Sequence, residues 1–141
     1  MTISARNQLV AHISAIRTGA TNDVIEMELK TGEKLTAVIT AESTANLGLD
    51  INTEVLAIFK APSVILSTDN SLIFSSRNQF KGKVEQITHG AVNAEIIIKT
   101  YLGTRFTAII TETSANNMAL QIGTDVTALI KASSVILAVK A

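Results

Sequence analysis

The sequence repeats itself, and this feature constrains its fold more than any other. Residues 4–8 read Ser-Ala-Arg-Asn-Gln and return at residues 75–79 as Ser-Ser-Arg-Asn-Gln. Residues 60–66 read Lys-Ala-Pro-Ser-Val-Ile-Leu and return at residues 131–137 as Lys-Ala-Ser-Ser-Val-Ile-Leu, in the same order and at the same spacing. A period of this kind marks one structural unit used more than once. We therefore predict two copies of a single module.

The predicted modules are residues 1–69 and residues 70–141. Modules of this size bury a limited share of their surface and are only marginally stable alone. The chain of 141 residues is nevertheless 47% hydrophobic and only 17% charged. So much aliphatic surface on small modules predicts packing between modules and between chains, and we expect a homo-oligomer.

Only two charged residues are identical in both copies, and both are cations. Arg6 corresponds to Arg77 and Lys60 to Lys131. The other charged positions carry different residues in the two copies, because a single exposed charge contributes little to stability. The two retained cations therefore indicate a task that both modules share.

The overall charge and composition exclude several classes of partner. The formal net charge is zero, whereas nucleic acids and anionic membranes select a basic surface. The chain has no cysteine, and it has no run of 18 apolar residues that could span a membrane. The N-terminal residues do not resemble a signal peptide. We expect a cytoplasmic protein that has neither nucleic acid nor a membrane as its main partner.

The apolar pattern predicts five short strands and one helix in each copy. Residues 23–30 alternate apolar and polar side chains, which is the period of a half-buried strand. Thr40 can cap a helix that ends before Gly48. The first copy is predicted to have strands at 8–17, 23–30, 34–39, 53–59 and 63–67 with a helix at 40–47. The second copy is predicted to have strands at 84–87, 94–100, 105–110, 125–130 and 135–139 with a helix at 111–120.

This order of elements predicts the fold class. Five strands with one helix between the third and the fourth are typical of a Greek-key barrel of the OB type. We predict an all-β protein made of two tandem OB-like five-stranded Greek-key barrels, each with one short helix. Single-stranded nucleic acid on such a fold needs stacking aromatic side chains. None of the five aromatic residues stands at matching positions in both copies, which argues against that function. The aromatic residues are Phe59, Phe74, Phe80, Tyr101 and Phe106.

The polar residues shared by the two copies are all hydrogen-bond donors, and none is a carboxylate. They are Ser4, Arg6, Thr40, Ser43 and Lys60 in the first copy and Ser75, Arg77, Thr111, Ser114 and Lys131 in the second. Two cations, three hydroxyl groups and the free amides at a helix start suit a doubly charged tetrahedral oxyanion. Protonated phosphate would leave its O–H without an acceptor, at a cost of about 1–3 kcal/mol. Sulfate, molybdate and tungstate remain as candidate ligands.

Several motifs of the chain together resemble the molbindin, or Mop, domain. They are the Ser-Ala-Arg-Asn-Gln opening, the Gly-Ala-x-Asn turns at residues 19–22 and 90–93, the Thr-x-x-Ser helix starts, and the Lys-Ala-[Pro/Ser]-Ser-Val-Ile-Leu endings. The motifs occur twice and in order, so the chain resembles a tandem pair of these domains. The resemblance implies an OB-like barrel that binds molybdate or tungstate as cargo for intracellular storage and homeostasis of the metal. It also implies a trimer of two-module chains.

The resemblance further implies two classes of oxyanion site, with no direct protein ligand to the metal. In the first class the Ser and Arg of the opening motif come from one module, and the Thr, Ser, Lys and the following amide come from another. On this chain the implied residues are Ser4, Arg6, Thr40, Ser43, Lys60, Ala61, Ser75, Arg77, Thr111, Ser114, Lys131 and Ala132. The second class involves the Gly-Ala-x-Asn turns, hence Ala20, Asn22, Ala91 and Asn93. Ala5 becomes Ser76 and Pro62 becomes Ser133, beside the first class of site.

Two other functional classes compete with oxyanion binding. Catalysis finds little support, because His12 and His89 are not duplicated and no acid is identical in both copies to serve as a base. We therefore expect no enzymatic activity. The other alternative is an OB-fold oligomeric scaffold, or a binding module for another dianion such as sulfate.

Overall fold

A computed structural model describes residues 3–141, which form two compact units, each built on one five-stranded antiparallel sheet. The first unit comprises the chain up to Phe59 together with Lys131–Ala141, and the second unit is Lys60–Ile130. The first unit contains β1 (Asn7–Arg17), β2 (Asn22–Leu29), β3 (Lys34–Thr40), α1 (Ala41–Leu47), β4 (Glu54–Phe59), a 3-10 turn at Ala132–Ser134 and β10 (Ile136–Ala138). The second unit contains a 3-10 turn at Ala61–Ser63, β5 (Val64–Ser67), β6 (Asn78–His89), β7 (Asn93–Thr100), β8 (Arg105–Thr111), α2 (Glu112–Asn117) and β9 (Asp125–Ile130).

The two sheets have the same topology. Their strand orders are β10-β4-β1-β2-β3 and β5-β9-β6-β7-β8. Each sheet curls until its two edge strands contact each other, β10 with β3 and β5 with β8. Curling brings the open edges of a short sheet together and so protects them. The predicted all-β fold of two OB-like five-stranded barrels with one short helix each is confirmed.

The apolar face of each sheet forms the core of its unit. In β2 the side chains of Ile25, Met27 and Leu29 are buried while the intervening residues are partly exposed, as the alternation predicts. Gly32 has a φ of 90° in the turn after β2, a conformation that glycine adopts without steric cost. In the second unit Phe80 and Phe106 pack at a ring separation of 4.8 Å inside the equivalent core.

The compact units do not follow the order of the repeats, because each contains the last strand of the other repeat. The last strand of the first repeat, β5, pairs with β9 in the second unit. The last strand of the chain, β10, pairs with β4 in the first unit. The predicted division into residues 1–69 and 70–141 describes the sequence repeat, whereas the fold exchanges the two equivalent segments that follow residues 59 and 130.

Two local predictions differ from the structure. Strand β6 begins at Asn78 and ends at His89, well beyond the predicted 84–87, because exposed Lys81 and Lys83 alternate with buried neighbours and thus continue the strand period. Residues 8–17, predicted as one regular strand, contain a shift of register between Ile13 and Ala15 where β1 pairs with β2. A β-bulge of this kind bends the strand and increases its twist.

Candidate functional site

The Thr and Ser that begin each helix form the same hydrogen-bonded pair in both units. Thr40 Oγ1 donates to Ser43 Oγ at 2.8 Å and accepts from the Ser43 amide at 3.1 Å. Thr111 Oγ1 makes the same contacts with Ser114, at 2.8 Å and 3.1 Å. Both threonines are extended N-caps, as predicted for Thr40. Two neighbouring hydroxyl groups therefore stand at equivalent places in the two units.

The turn that follows the lysine at the end of each repeat contacts the strand that precedes the Thr–Ser pair of the opposite repeat. The turn Ala132–Ser134, which follows exposed Lys131, contacts β3, the strand that ends at Thr40. The turn Ala61–Ser63, which follows exposed Lys60, contacts β8, the strand that ends at Thr111. The strand exchange thus places Lys131 and Ala132 in the same unit as Thr40, and Lys60 and Ala61 in the same unit as Thr111.

The Ser and Arg side chains of the opening segments are exposed, and each segment is held by a glutamine that occurs in both repeats. Ser4, Arg6, Ser75 and Arg77 are all exposed. The Gln8 amide nitrogen donates to the Ala5 carbonyl at 2.9 Å. Gln79 donates to the Ser76 carbonyl at 2.8 Å and to the Phe74 carbonyl at 3.0 Å. These glutamines hold the backbone that carries each arginine.

Sequence reasoning assigned no role to these glutamines or to the asparagines that precede them. Asn7 and Asn78 are buried polar residues at the first position of β1 and β6. Buried polar side chains are retained where they satisfy hydrogen bonds. Their identity in both repeats was the available signal for these buried positions.

The Gly-Ala-x-Asn turns lie beside the Thr–Ser pairs. Asn22 stands directly opposite Thr40 across β2 and β3, and Asn93 stands opposite Thr111 across β7 and β8. A Cβ on Gly19 would lie 2.3 Å from the Asn22 carbonyl oxygen, and one on Gly90 would lie 2.5 Å from the equivalent oxygen of Asn93.

Close approach of the backbone therefore explains the glycine in both turns. Ala20 and Ala91 are exposed within them. The predicted second class of site is thus adjacent in the fold to the first.

The two departures between the repeats have different structural consequences. The hydroxyl of Ser76, which replaces Ala5, donates to the carbonyls of Asn78 at 3.0 Å and Ile130 at 3.2 Å. It is therefore engaged with the backbone of its own unit. Pro62 has no amide hydrogen, whereas Ser133 at the equivalent position has one. The turn after Lys131 accordingly offers one more backbone N–H than the turn after Lys60.

One ion pair near the Thr–Ser pair has no equivalent in the other repeat. The imidazole of His89, at the end of β6, makes a short contact with the Glu112 carboxylate at the start of α2. The other oxygen of Glu112 is buried and has no hydrogen-bond partner among the described residues. The first repeat has Thr18 and Ala41 at these positions. One oxygen of Glu112 thus contacts His89 and the other is buried.

Replacing His89 by the threonine of the first repeat should lower the free energy of unfolding by about 1–3 kcal/mol, because the Glu112 oxygen that contacts His89 would lose its partner. Urea unfolding of His89→Thr, compared with wild type, measures this loss. The double variant His89→Thr/Glu112→Ala should recover part of it. His12→Thr is the matched control, since His12 is exposed and stands 4.0 Å from Glu28. Equal effects of the two histidine variants would contradict a structural role for the pair.

The described residues offer cationic, hydroxyl and amide donors but no ready metal ligands. No group of three or more His, Asp or Glu side chains within residues 3–141 could hold a metal ion. No helix in the same range has the length and apolar character needed to cross a bilayer. Arrangements of donors without open carboxylates favour a dianion over a cation.

The chain is similar to proteins of molybdenum metabolism. Residues 3–66 and 75–137 each match the TOBE domain. The chain is 42% identical over 140 residues to the molybdenum-pterin-binding protein MopA of Rhodobacter capsulatus, covering 98% of this chain and 52% of that protein. It is 38% identical over 139 residues to the molybdenum transport protein ModE of Azotobacter vinelandii, covering 99% of this chain and 52% of that protein. The chain thus spans about half the length of these relatives.

A solved structure matches the chain over its whole length. The cytoplasmic molybdate-binding protein ModG, crystallised with molybdate bound, superposes with a TM-score of 0.95 at 42% sequence identity. The match covers 99% of this chain and 100% of that one. The tandem arrangement of two similar domains is therefore shared with a protein of the same extent.

Proposed function

Since the chain belongs to the TOBE-domain family, we propose that it binds molybdate, or tungstate, as cargo in the cytoplasm and serves in storage and homeostasis of the metal. The full-length similarity to ModG, a cytoplasmic molybdate-binding protein, supports this function. The expectation that the chain is not an enzyme agrees with it, because storage requires reversible binding without chemical change.

The observation that carries the proposal is the identical Thr–Ser pair in the two units. Thr40 with Ser43 and Thr111 with Ser114 have matching hydrogen-bond lengths, although the surrounding charges differ between the repeats. A pair needed only to cap a helix would not need the turn after the lysine of the opposite repeat to contact the strand before it. Both features occur together in both units, which favours a ligand.

The first class of site consists of two such donor sets. One set is Thr40, Ser43, Lys131 and Ala132, and the other is Thr111, Ser114, Lys60 and Ala61. The Ser–Arg segments, Ser4 with Arg6 and Ser75 with Arg77, supply the second cation when copies of the chain assemble. Each complete site then offers two positive charges to a doubly charged anion.

Donor chemistry explains how molybdate is distinguished from phosphate. Molybdate at neutral pH carries no proton and accepts at every oxygen, whereas hydrogen phosphate must also donate. The proposed set contains no carboxylate, so that O–H can be accepted only by hydroxyl groups, which then no longer donate to the anion; a donor left unpaired costs about 1–3 kcal/mol. We expect molybdate to bind at least tenfold more tightly than phosphate.

The Gly-Ala-x-Asn turns supply the second class of site. Asn22 and Asn93 are exposed and carry side-chain amide donors, and Ala20 and Ala91 bring backbone amides. Their position opposite Thr40 and Thr111 allows the two classes of site to influence each other through β3 and β8.

Exposed aliphatic side chains at equivalent positions support the trimeric assembly. Ile65 is 55% exposed and its counterpart Ile136 is 62% exposed. Large apolar side chains that recur on the surface mark contact surfaces between proteins. We propose that three chains associate through such surfaces.

Equilibrium dialysis tests the proposal directly. The purified chain is dialysed against micromolar molybdate, tungstate, sulfate and phosphate in separate cells, and bound anion is counted by elemental analysis. Saturable uptake of molybdate or tungstate, several anions per assembled particle, is the expected result. A chain that takes up none of the four is a scaffold, and one that prefers sulfate binds a different dianion; either result overturns the proposal.

A further inference from the structure

Each unit has a groove beside the same pair of strands, β1 and β2 in the first unit and β6 and β7 in the second. In the first unit the groove has a volume of about 220 Å³ and is lined by His12, Glu28, Lys30 and Glu54 among others. In the second unit the equivalent groove has a volume of about 360 Å³, and its lining includes Lys83, Lys99, Tyr101 and Ile122. The two units therefore have corresponding grooves, and the side chains that line them differ in charge.

The difference begins with one cross-strand pair. His12 stands opposite Glu28 in the first unit, with His12 Nε2 and Glu28 Oε2 4.0 Å apart. At the same register in the second unit Lys83 stands opposite Lys99. Like charges directly opposite each other destabilise a sheet. The second unit thus places two cations side by side where the first unit has a histidine and a glutamate.

The carboxylates near the second groove are already engaged. Asp125 accepts from the Tyr101 hydroxyl and lies 3.3 Å from Lys83 Nζ. The Tyr101 hydrogen bond, followed by Lys83, lowers the pKa of Asp125 from its usual range. Glu85 is held by Arg105 Nε at 3.0 Å and 3.2 Å. The positive charge that remains for a partner lies on Lys99 and on exposed Lys81.

Apolar side chains border these lysines. Tyr101 is 62% exposed, Leu102 is 64% exposed and Ile122 is 74% exposed. The first repeat has polar Lys30 and Thr31 where the second has Tyr101 and Leu102. The second groove therefore combines an excess of positive charge with an uncovered apolar border.

We propose that this lysine groove, lined by Lys83, Lys99, Tyr101 and Ile122 and extended by Lys81, whose carbonyl accepts from the Tyr101 amide at 3.2 Å, docks an acidic segment of a protein partner that also carries apolar side chains. Charge complementarity selects the acidic side chains, and Tyr101 and Ile122 receive the apolar ones. Strands β6 and β7 are both internal to their sheet, so recognition rests on side chains and not on the addition of a strand.

The test uses the full chain and a fluorescent peptide of alternating glutamate and leucine residues, followed by anisotropy. The variant Lys83→His/Lys99→Glu introduces the residues of the first repeat and should weaken binding about tenfold or more, since it removes two cations and adds an anion. Lys140→Glu, an exposed lysine near the C-terminus, is the matched control and should bind as wild type does.

Three results would overturn the proposal. Wild-type chain could bind the acidic peptide no better than a lysine–leucine peptide of equal length. The Lys83→His/Lys99→Glu variant could bind the acidic peptide unchanged. A single-stranded DNA of equal charge could bind more tightly than the peptide, which would make the groove a general polyanion surface. Molybdate uptake by each variant, measured in parallel, reports on the oxyanion sites separately.

Discussion

The double variant Arg6→Ala/Arg77→Ala should bind molybdate about 10–100-fold more weakly than wild type. Each arginine is expected to supply one of the two positive charges of a complete site of the first class. A hydrogen bond to a charged group contributes about 1.5–3 kcal/mol, and each 1.4 kcal/mol corresponds to about tenfold in affinity. Both side chains are exposed, so their removal should leave the units folded. Equilibrium dialysis of molybdate and the urea midpoint, measured on the same preparations, separate these two effects.

The matched control for this variant is Arg17→Ala/Arg105→Ala. These arginines are also exposed, and they form ion pairs with Glu26 and Glu85 outside the proposed sites. Molybdate binding by the control should equal that of wild type. If the Arg6/Arg77 variant retained full capacity and affinity, the arginines would not belong to the sites. If both double variants lost affinity alike, the effect would come from net charge alone.

The features that the sequence predicted correctly are those determined within a few residues. The N-cap at Thr40 depends on a hydroxyl group three residues before the amide that it accepts from. Gly48, with a φ of 62°, ends α1 as predicted. The burial of Ile25 and Met27 follows from a period of two. Such patterns are local, so one repeat suffices to reveal them.

The strand exchange could not be predicted, because the last strands of the two repeats have nearly the same sequence. β5 and β10 follow equivalent Lys-Ala-x-Ser turns and carry the same Val-Ile-Leu segment, so either strand fits beside either β4 or β9. Sequence alone therefore leaves open whether Lys60 or Lys131 accompanies Thr40. The pair of His89 with Glu112 was also missed, because neither residue is repeated and they are distant in sequence.

The exchange leads to a second large expected effect. A chain that ends at Ile130 should lose the fold of one of its two units, because it lacks β10 and retains only β5 for two equivalent positions. Val135 and Leu137 are buried in the first unit. Burial of side chains of this kind contributes about 1.5–3 kcal/mol each, and a small domain is stable by only about 5–15 kcal/mol in total. Hydrogen exchange resolved by peptide should show one protected sheet and one that exchanges rapidly.

The identity of the unprotected sheet follows from the chain connections. If β5 remains beside β9, residues 60–130 stay complete and β1 to β4 lose protection together with the Thr40–Ser43 pair. If β5 moves to β4, the second unit opens instead, but only after β5 has released its four paired positions on β9, Ile130 among them. Because that release requires an unfolding step, the first unit should be the one that opens. A chain ending at Val139, which removes only Lys140 and Ala141, should protect both sheets. Full protection of both sheets in the chain ending at Ile130 would show that β10 is dispensable.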